Sequence, residues 1–517
     1  MLRPKTNLRL INLILPVTFT LCVLLAPGCK KGTKTSGEDT GPTVTPSLKI
    51  DSTTITSGTA EGSKETGANT DDQVEGSTFG SVVTIAFGTT VNITNAVSGV
   101  TIVQSGANLV ITSKVDGVEY KVSGTTTNGS VKIYSDKKFK LTLNGANITS
   151  TSGPAINIQS KKRCFVVLAD GSTNTLTDSP TYPTSTEDMK GTFFSEAQLV
   201  FSGTGSLTVQ GNYKHAICSD DYVHIRTGTI TVTGAVKDGI HSNSGFIADG
   251  GTVKITANTG DAIECEEGSM IINDGKFTLA SNEKGINASY EGTDATITPY
   301  ININGGTLNI NVGTGEGIST KLSAITINGG NIAITSSDDC LNAAKAININ
   351  SGFLYLYSKL NDGMDSNGTI TITGGKTVAI GTTATEAGLD CNTNVMKLTG
   401  GVVVGIGSET SGPSATASTI NSLVMGSGTA NQLVHIEAAD GTDAMTFLAP
   451  LNYTTMLYAC AKVKSATAYT VYTGGSVAAG TNFRGLYTSG NYTKGDKKSI
   501  FTTSGVVTQT GGTVSTK

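Results

Sequence analysis

The sequence predicts an all-β protein folded as a right-handed parallel β-helix, a solenoid with about 23 residues per coil, followed by a small C-terminal β region. The main observation is a short phrase, usually an acidic residue, then a small residue, then Ile, Leu or Met, that recurs along the chain. The phrase centres on eight apolar residues: Ile217, Ile240, Ile263, Ile286, Ile318, Leu341, Met364 and Leu389. Their spacings are 23, 23, 23, 32, 23, 23 and 25 residues, and a period of this size is typical of a solenoid.

Each coil is predicted to contain short strands in which β-branched residues alternate with other residues. Two families of such strands occupy residues 229–232, 252–255, 307–310 and 331–334, and residues 301–304, 325–328 and 347–350. Strands that repeat at this period cannot form hairpins, so each pairs in parallel with its counterpart in the next coil, and the crossover rule makes the helix right-handed. Asn304, Asn328 and Asn350 recur at one Gly-rich bend, where we expect them to stack in a hydrogen-bonded ladder.

The ends of the solenoid need closure, because open ends expose unpaired backbone groups. We assign residues 79–407 to the β-helix and expect its first part, residues 79–150, to cap one end. Residues 408–517 lose the period and gain tyrosines, which predicts a C-terminal β capping region.

The N-terminus has the pattern of a targeting signal. Basic residues precede an apolar run from Leu10 to Leu25, and Cys29 follows a small residue. This predicts a lipoprotein signal peptide over residues 1–28 and lipidation of Cys29, which would anchor the protein to a membrane face. The alternative is an ordinary signal peptide with an incidental cysteine. Residues 29–78 are rich in Ser, Thr, Gly and acidic residues, which predicts a flexible tether.

The charge of the chain argues against a nucleic-acid partner, and the spacing of its cysteines argues against a cysteine metal site. The formal net charge is −4 and the pI is about 5.7, which argues against a nucleic-acid partner because such a protein needs a basic face. The eight cysteines show no metal-binding spacing. Cys265, Cys340 and Cys391 fall at small, inward positions of the repeat and are predicted to be buried free thiols.

Two columns of side chains follow from the repeat when its apolar centre is taken as position zero. The first column, at position −2, contains His215, Asp238, Asp261, Lys284, Glu316, Asp339, Asp362 and Ala387. The second column, at position +1, contains Cys218, His241, Glu264, Asn287, Ser319, Asn342, Asp365 and Asp390. Stacked coils bring like positions to about 5 Å from one another. Carboxylates at that distance repel unless a cation such as calcium, which prefers oxygen ligands, lies between them.

The acidic residues fall into two predicted calcium clusters. The denser cluster comprises Asp338, Asp339, Asp362, Asp365, Glu386 and Asp390. The sparser cluster comprises Asp238, Asp261 and Glu264. One alternative is a solvated acidic edge that keeps the solenoid soluble. Another is zinc at His215, Asp238 and His241, although histidines at such bends are more often hydrogen-bonded structural residues. Lys284 is placed to neutralise Asp261, and the nine-residue insertion after it is expected to overhang this edge.

An aromatic row offers a second kind of binding surface. In register with the neighbouring strand, Leu354 and Leu356 point inward, and Phe353, Tyr355 and Tyr357 point outward. Exposed aromatic rings in a line suit stacking on sugar rings. The alternative is that the C-terminal segment covers the row as ordinary packing.

Several phrases resemble a known family, that of secreted cellulose- and acid-sugar-binding, carbohydrate-binding domain-containing proteins with a polysaccharide-lyase-like right-handed β-helix. The phrases occupy residues 141–149, 153–156, 173–178, 203–209, 211–217 and 469–475, and the resemblance covers roughly residues 80–510. It implies calcium ions on the coil and binding of cellulose or polygalacturonate, without known cleavage. Lys284 departs from the acidic column and interrupts a continuous row of ions.

The favoured function is a lipid-anchored protein of the bacterial cell envelope, at the outer membrane or cell surface, that binds polysaccharide and has no catalytic residues. An enzyme is the first alternative, since paired carboxylates suit glycoside hydrolysis and a lyase would need calcium plus a base such as Lys284, Lys321 or Lys345. The acidic phrases resemble those of polygalacturonases, but that family's Gly-His-Gly and Arg-Ile-Lys phrases are missing. A purely structural surface adhesin is the second alternative.

Overall fold

The structure, a computed structural model, describes residues 48–50 and 56–515 and confirms a parallel β-solenoid. Twelve strands form its first sheet, and from the second strand onward they pair in parallel with one strand per coil. These strands are Val100–Ser105, Ala107–Ser113, Gly129–Ser135, Ile156–Ile158, Gly191–Ser195, His215–Ser219, Ile240–Ser242, Ile263–Cys265, Ile286–Ala288, Ile318–Thr320, Leu341–Ala343 and Asp365–Ser366.

Two further ladders complete the coil. The second ladder contains Cys164–Leu168, Leu199–Gly203, Tyr222–Ile225, Gly245–Ala248, Ser269–Ile272, Ile301–Ile303, Ala324–Ile327, Ala346–Ile349, Thr369–Ile372 and Met396–Leu398. The third ladder contains Thr173–Thr177, Ser206–Gly211, Thr229–Ala235, Thr252–Thr256, Lys276–Ser281, Thr307–Val312, Asn331–Ser336, Phe353–Ser358, Lys376–Ile380 and Val402–Gly407. Both predicted strand families lie in these ladders.

The core is the stack of inward apolar residues from successive coils. All eight apolar centres of the repeated phrase are fully buried, and burial of each such side chain contributes about 1.5–3 kcal/mol. The residue before each apolar centre is small for a steric reason, which Gly317 illustrates. A Cβ there would lie 2.3 Å from Cγ2 of Ile334 and 2.5 Å from the carbonyl oxygen of Cys340. Cys265, Cys340 and Cys391 are buried free thiols, as predicted.

The first end of the solenoid is built from longer strands: Ser81–Phe87, Asn92–Asn95, Val118–Thr126 and Phe139–Thr149. The strand Phe139–Thr149 is long enough to pair with both the second and the third ladder. Ser81–Phe87 forms an antiparallel pair with Asn92–Asn95, so the parallel stacking stops at this end.

The region after the last coil is also β structure. A seven-stranded sheet contains Leu48–Ile50, Leu433–Ala438, Asp443–Leu448, Ala468–Thr473, Ser476–Phe483, Leu486–Thr493 and Asp496–Thr502. The remaining strands are Ser422–Met425, Thr455–Cys460 and Val507–Gln509. Thr455–Cys460 pairs antiparallel with Val402–Gly407, which satisfies the open edge of the third ladder.

Residues 56–78, part of the segment expected to be a flexible tether, lie as a strap along the solenoid. Two short 3-10 helices, Thr70–Asp72 and Val74–Gly76, lie within the strap. Its backbone carbonyls accept hydrogen bonds from asparagine side chains of successive coils, for example Glu61 from Asn350 at 2.8 Å and Thr66 from Asn273 at 2.8 Å. The segment is polar, yet it is ordered because the solenoid supplies partners for its backbone.

The asparagines that hold the strap also form the predicted ladder. Nδ2 of Asn350 donates to Oδ1 of Asn328 at 2.8 Å, and Asn328 donates in the same way to Asn304 at 2.8 Å. Asn304 donates to Asn273 at 2.7 Å, so the ladder extends one coil further than the sequence suggested.

A buried carboxylate fixes the other part of the strap. Asp72 is fully buried and lies 2.8 Å from Nε of Arg163. It also accepts a hydrogen bond from the Tyr222 hydroxyl at 2.6 Å and lies 2.7 Å from Nδ1 of His224. Three polar groups of the solenoid therefore converge on one strap residue.

Candidate functional site

The two predicted columns run along the first sheet. The strand register aligns Cys218 with His241, His241 with Glu264, and so on to Asn342 with Asp365, and an isolated bridge aligns Asp365 with Asp390. The first column is linked from coil to coil as well. Oδ1 of Asp339 accepts the backbone N–H of Asp362 at 2.9 Å, which repeats the bond from Asp261 to Asp238 at 2.9 Å.

The dense cluster contains a close group of three carboxylates. Asp362, Asp365 and Asp390 each offer an oxygen, and these oxygens lie within 4.8 Å of one another. Asp362 is buried, whereas Asp365 and Asp390 are half-buried, so the group opens to solvent on one side. Three oxygen ligands on two adjacent coils form part of the shell of six to eight oxygens that calcium takes.

The charge of this group is not neutralised by protein cations. Among the described residues, no Lys, Arg or His forms an ion pair of 4.0 Å or less with Asp362, Asp365 or Asp390. Burial, with Asp339, Asp390 and Asp365 nearby, raises the pKa of Asp362 to about 8. Burial and the charges of Asp390, Asp338 and Glu386 raise the pKa of Asp365 to about 6. A divalent cation would remove this repulsion, so the donor set fits calcium.

The other members of the dense cluster have different roles. Asp339 accepts hydrogen bonds at both oxygens, from the backbone of Asp362 and from Nδ2 of Asn342 at 2.8 Å. Asp338 accepts a hydrogen bond from Nδ2 of Asn361 at 2.6 Å. Glu386 accepts one from the neighbouring Thr385 hydroxyl. These three residues surround the close ligands, which are Asp362, Asp365 and Asp390.

The sparser cluster differs from the expected set of three carboxylates. The close group there is Asp238, His241 and Glu264, and Asp261 instead accepts a hydrogen bond from Nδ2 of Asn287 at 2.7 Å. Nδ1 of His241 lies 3.0 Å from Glu264 and 3.4 Å from Asp238. Burial lowers the pKa of His241, but contacts with both carboxylates outweigh it and raise that pKa to about 9. Calcium is not favoured here because protein cations already balance the carboxylates.

Lys284 forms an ion pair other than the one expected from the sequence. Its Nζ lies 3.3 Å from Glu316, the next residue of the first column, and not within ion-pair distance of Asp261. Burial, together with the nearby charges of Asp238 and Glu264, raises the pKa of Asp261 to about 7.

A charged cavity of about 510 Å³ lies beside these residues. Three lysines, Lys237, Lys284 and Lys321, line it together with six carboxylates. Tyr290 and Glu291, from the insertion after Lys284, also line it, so the inserted loop borders the edge as predicted. Glu291 forms an ion pair with Lys321. Lys237 is a lining residue that was not predicted from the sequence, although its position just before Asp238 in the repeat was a usable signal.

Comparisons with known proteins now identify the family. A family model described as carbohydrate-binding domain-containing protein matches residues 105–363, half of the chain. The chain belongs to this family. The matched residues include both columns up to Asp362, and Asp365 and Asp390 follow directly after them.

Two individual proteins are similar to parts of the chain. A carbohydrate-binding domain-containing protein of Acetivibrio thermocellus is 35% identical over 103 residues, which are 19% of this chain and 36% of the relative. The match thus spans about a third of that relative's length. A solved structure, described as the polysaccharide lyase-like protein from C. thermocellum, gadolinium derivative, covers 56% of this chain and 96% of its own, with 23% identity and a TM-score of 0.37.

The predicted aromatic row faces outward but is largely covered. Leu354 and Leu356 are fully buried in the core, as expected from the register. Tyr355 and Tyr357 are half-buried against the apolar cluster of the C-terminal region. Phe353 is 46% exposed, and its ring centroid lies 5.7 Å from that of Phe483. The structure thus favours ordinary packing over an open sugar-stacking ridge.

The predicted anchor lies outside the described residues. Both the signal peptide over residues 1–28 and the lipidation site Cys29 fall there. Within the part of the chain that the structure describes, no helix has the length and apolar character required to cross a bilayer.

Proposed function

We propose that this protein binds acidic polysaccharide along the edge of the solenoid that carries the two columns, with calcium held by Asp362, Asp365 and Asp390. Membership in a carbohydrate-binding family supports a sugar as the ligand. The observation that carries the proposal is the close group of three carboxylates, which forms no ion pair with a Lys, Arg or His of the described residues. Calcium bound there keeps open coordination positions, and the carboxylate of an acidic sugar such as polygalacturonate is a suitable ligand for them.

The charged cavity offers further polar groups to a sugar chain. It lies on the same edge as the calcium ligands and presents Lys237, Lys284 and Lys321 together with six carboxylates. Each lysine is ion-paired with a protein carboxylate, so a uronic acid carboxylate would bind there by exchange with that partner. Tyr290 at the border of the cavity adds an aromatic face and a hydroxyl to the same surface.

The proposal is a binding function without cleavage. A lyase would need a free amine as its base, and two of the three lysines considered from the sequence are ion-paired, Lys284 with Glu316 and Lys321 with Glu291. We further propose that the protein is held at the bacterial cell envelope through lipid on Cys29, which the N-terminal pattern supports. Display at a surface suits a protein whose ligand is a polymer outside the cell.

Retention of the full chain on immobilised polygalacturonate tests the proposal, first with calcium and then with a chelator. We expect retention with calcium and release on chelation. The double variant Asp365→Asn/Asp390→Asn should lose calcium-dependent retention. Asp136→Asn, which removes a carboxylate from an exposed position outside the columns, should behave like the wild type.

Ultraviolet absorbance of the flow-through separates binding from cleavage. New absorbance from unsaturated sugar ends would make the protein a lyase and contradict a pure binding function. Retention that is equal in the double variant and the wild type would show that the three carboxylates are not the site. Retention on cellulose alone, independent of calcium, would move the site to another surface.

A further inference from the structure

A second cluster of metal-binding side chains lies on the same sheet, in residues that the proposed calcium site does not use. His215, Cys218 and His241 each offer a ligand atom, and these atoms lie within 4.8 Å of one another. Two strands hold them, since His215 and Cys218 belong to His215–Ser219 and His241 belongs to the next strand, Ile240–Ser242. The two imidazole rings stack with centroids 4.2 Å apart. All three side chains are buried.

His215 has no hydrogen-bond partner in this environment. It is 0% exposed, and neither of its ring nitrogens forms a hydrogen bond with a described residue. Nδ1 lies 2.9 Å from Oδ2 of Asp238. This oxygen also forms no hydrogen bond, so the two atoms are close but lack the angle that a hydrogen bond requires. A buried imidazole whose two ring nitrogens form no directed hydrogen bond is costly and unusual in a folded protein. This observation differs from the structural, hydrogen-bonded role expected for histidines at such a bend.

We propose that His215, Cys218 and His241 bind a transition-metal cation of the zinc class. Two imidazoles and one thiolate supply three of the four ligands of a tetrahedral zinc site. The Cys218 sulfur binds as the thiolate, and its proton leaves to solvent as the metal–sulfur bond forms. The cation would satisfy a ring nitrogen of His215 that forms no hydrogen bond.

The surroundings of the cluster support a structural rather than a catalytic site. The three side chains are at most 3% exposed, so the cluster is closed to solvent, whereas a catalytic zinc site keeps a position open to water or substrate. Glu264 lies 3.0 Å from Nδ1 of His241, and carboxylates commonly orient metal-binding histidines in this way. Nitrogen and sulfur ligands prefer zinc-class metals to calcium, so the two sites on this sheet would not compete for one cation.

Cobalt(II) binding to the full chain, reduced and stripped of metal, tests the proposal. A tetrahedral cobalt–thiolate site gives visible ligand-field bands and a near-ultraviolet sulfur-to-cobalt charge-transfer band. We expect these bands to saturate at one equivalent of cobalt and to disappear when zinc is added. Cys218→Ala should remove the charge-transfer band. Cys164→Ala, which removes a buried free thiol on another ladder, should keep it.

Excess calcium and a second variant make the outcome decisive. The bands should persist in excess calcium, and His215→Gln, which keeps a polar side chain of similar size, should weaken cobalt binding at least about tenfold. Circular dichroism of each variant, compared with the wild type, checks that it is folded. Absence of a charge-transfer band in the folded wild-type protein, or an unchanged band in folded Cys218→Ala, would overturn the assignment.

Discussion

Replacement of Asp72 by alanine is expected to release the strap from the solenoid while the coils stay folded. Asp72 is fully buried, and its carboxylate contacts Arg163, Tyr222 and His224 at 2.8, 2.6 and 2.7 Å. Removal of the carboxylate leaves the Arg163 guanidinium without its buried counter-charge. The strap has little apolar surface of its own, so its attachment depends on such polar contacts.

The size of the effect follows from the burial of the ion pair. Removal of one partner of a buried ion pair typically costs about 3–5 kcal/mol. Since 1.4 kcal/mol is a factor of ten in an equilibrium constant, local opening of the strap should become more favourable by roughly a hundredfold or more. Asp71→Ala is the matched control, because Asp71 is adjacent in sequence but exposed. Its effect should stay within about 0.5 kcal/mol.

Hydrogen exchange measured by mass spectrometry reports this opening directly. Peptides that cover residues 69–77 should lose protection in Asp72→Ala, whereas peptides from the first sheet should keep theirs. In the wild type the amide of Asp72 is hydrogen-bonded to the carbonyl of Asn69 at 3.0 Å, which gives the assay a protected site. Equal exchange in Asp72→Ala, Asp71→Ala and the wild type would refute the docked strap and restore the flexible tether.

Three further predictions address the cluster, the ladder and the aromatic row. Without calcium, the free energy of unfolding should fall by about 3–5 kcal/mol as the pH rises from about 4 to about 8. The reason is that burial raises the folded-state pKa of Asp339 and Asp362 from 3.8 to about 8. Denaturant unfolding curves measured with chelator at several pH values check this, and a free energy of unfolding that rises with pH would contradict it. Asn328→Ala should cost about 1–3 kcal/mol in denaturant unfolding, since Asn328 bonds both Asn304 and Asn350, and an unchanged midpoint would deny the ladder a stabilising role. Tyr355→Ala should lower stability by about 1–3 kcal/mol without a change in retention on cellulose; lost retention in a folded variant would revive the sugar-stacking row.

The period of the sequence was sufficient to predict the solenoid and the register of the columns. A repeat of 23 residues determines which residues stack, and the alignment of Cys218, His241 and Glu264 in successive strands follows directly from it. The same logic placed Asp365 next to Asp390 across a 25-residue spacing, because the extra residues are accommodated between the strands. Asparagines at equivalent bends stacked for the same reason.

Contacts outside the period could not be predicted in this way. Glu61 and Asn350 are hydrogen-bonded across 289 residues, and no local pattern in the polar strap indicates such a partner. The cover over Tyr355 and Tyr357 comes from the non-periodic C-terminal region. The near approach of His215 to His241 was expected in the zinc alternative, but Cys218, which completes the close group in the structure, was not part of that set.

The most direct test of the central claim is a crystal structure of the protein grown with calcium. We predict an ion bonded to carboxylate oxygens of Asp362, Asp365 and Asp390 at about 2.3–2.6 Å, with its remaining positions open to water or to a sugar carboxylate. An empty site in the presence of calcium would contradict the account. So would calcium bound only elsewhere on the chain.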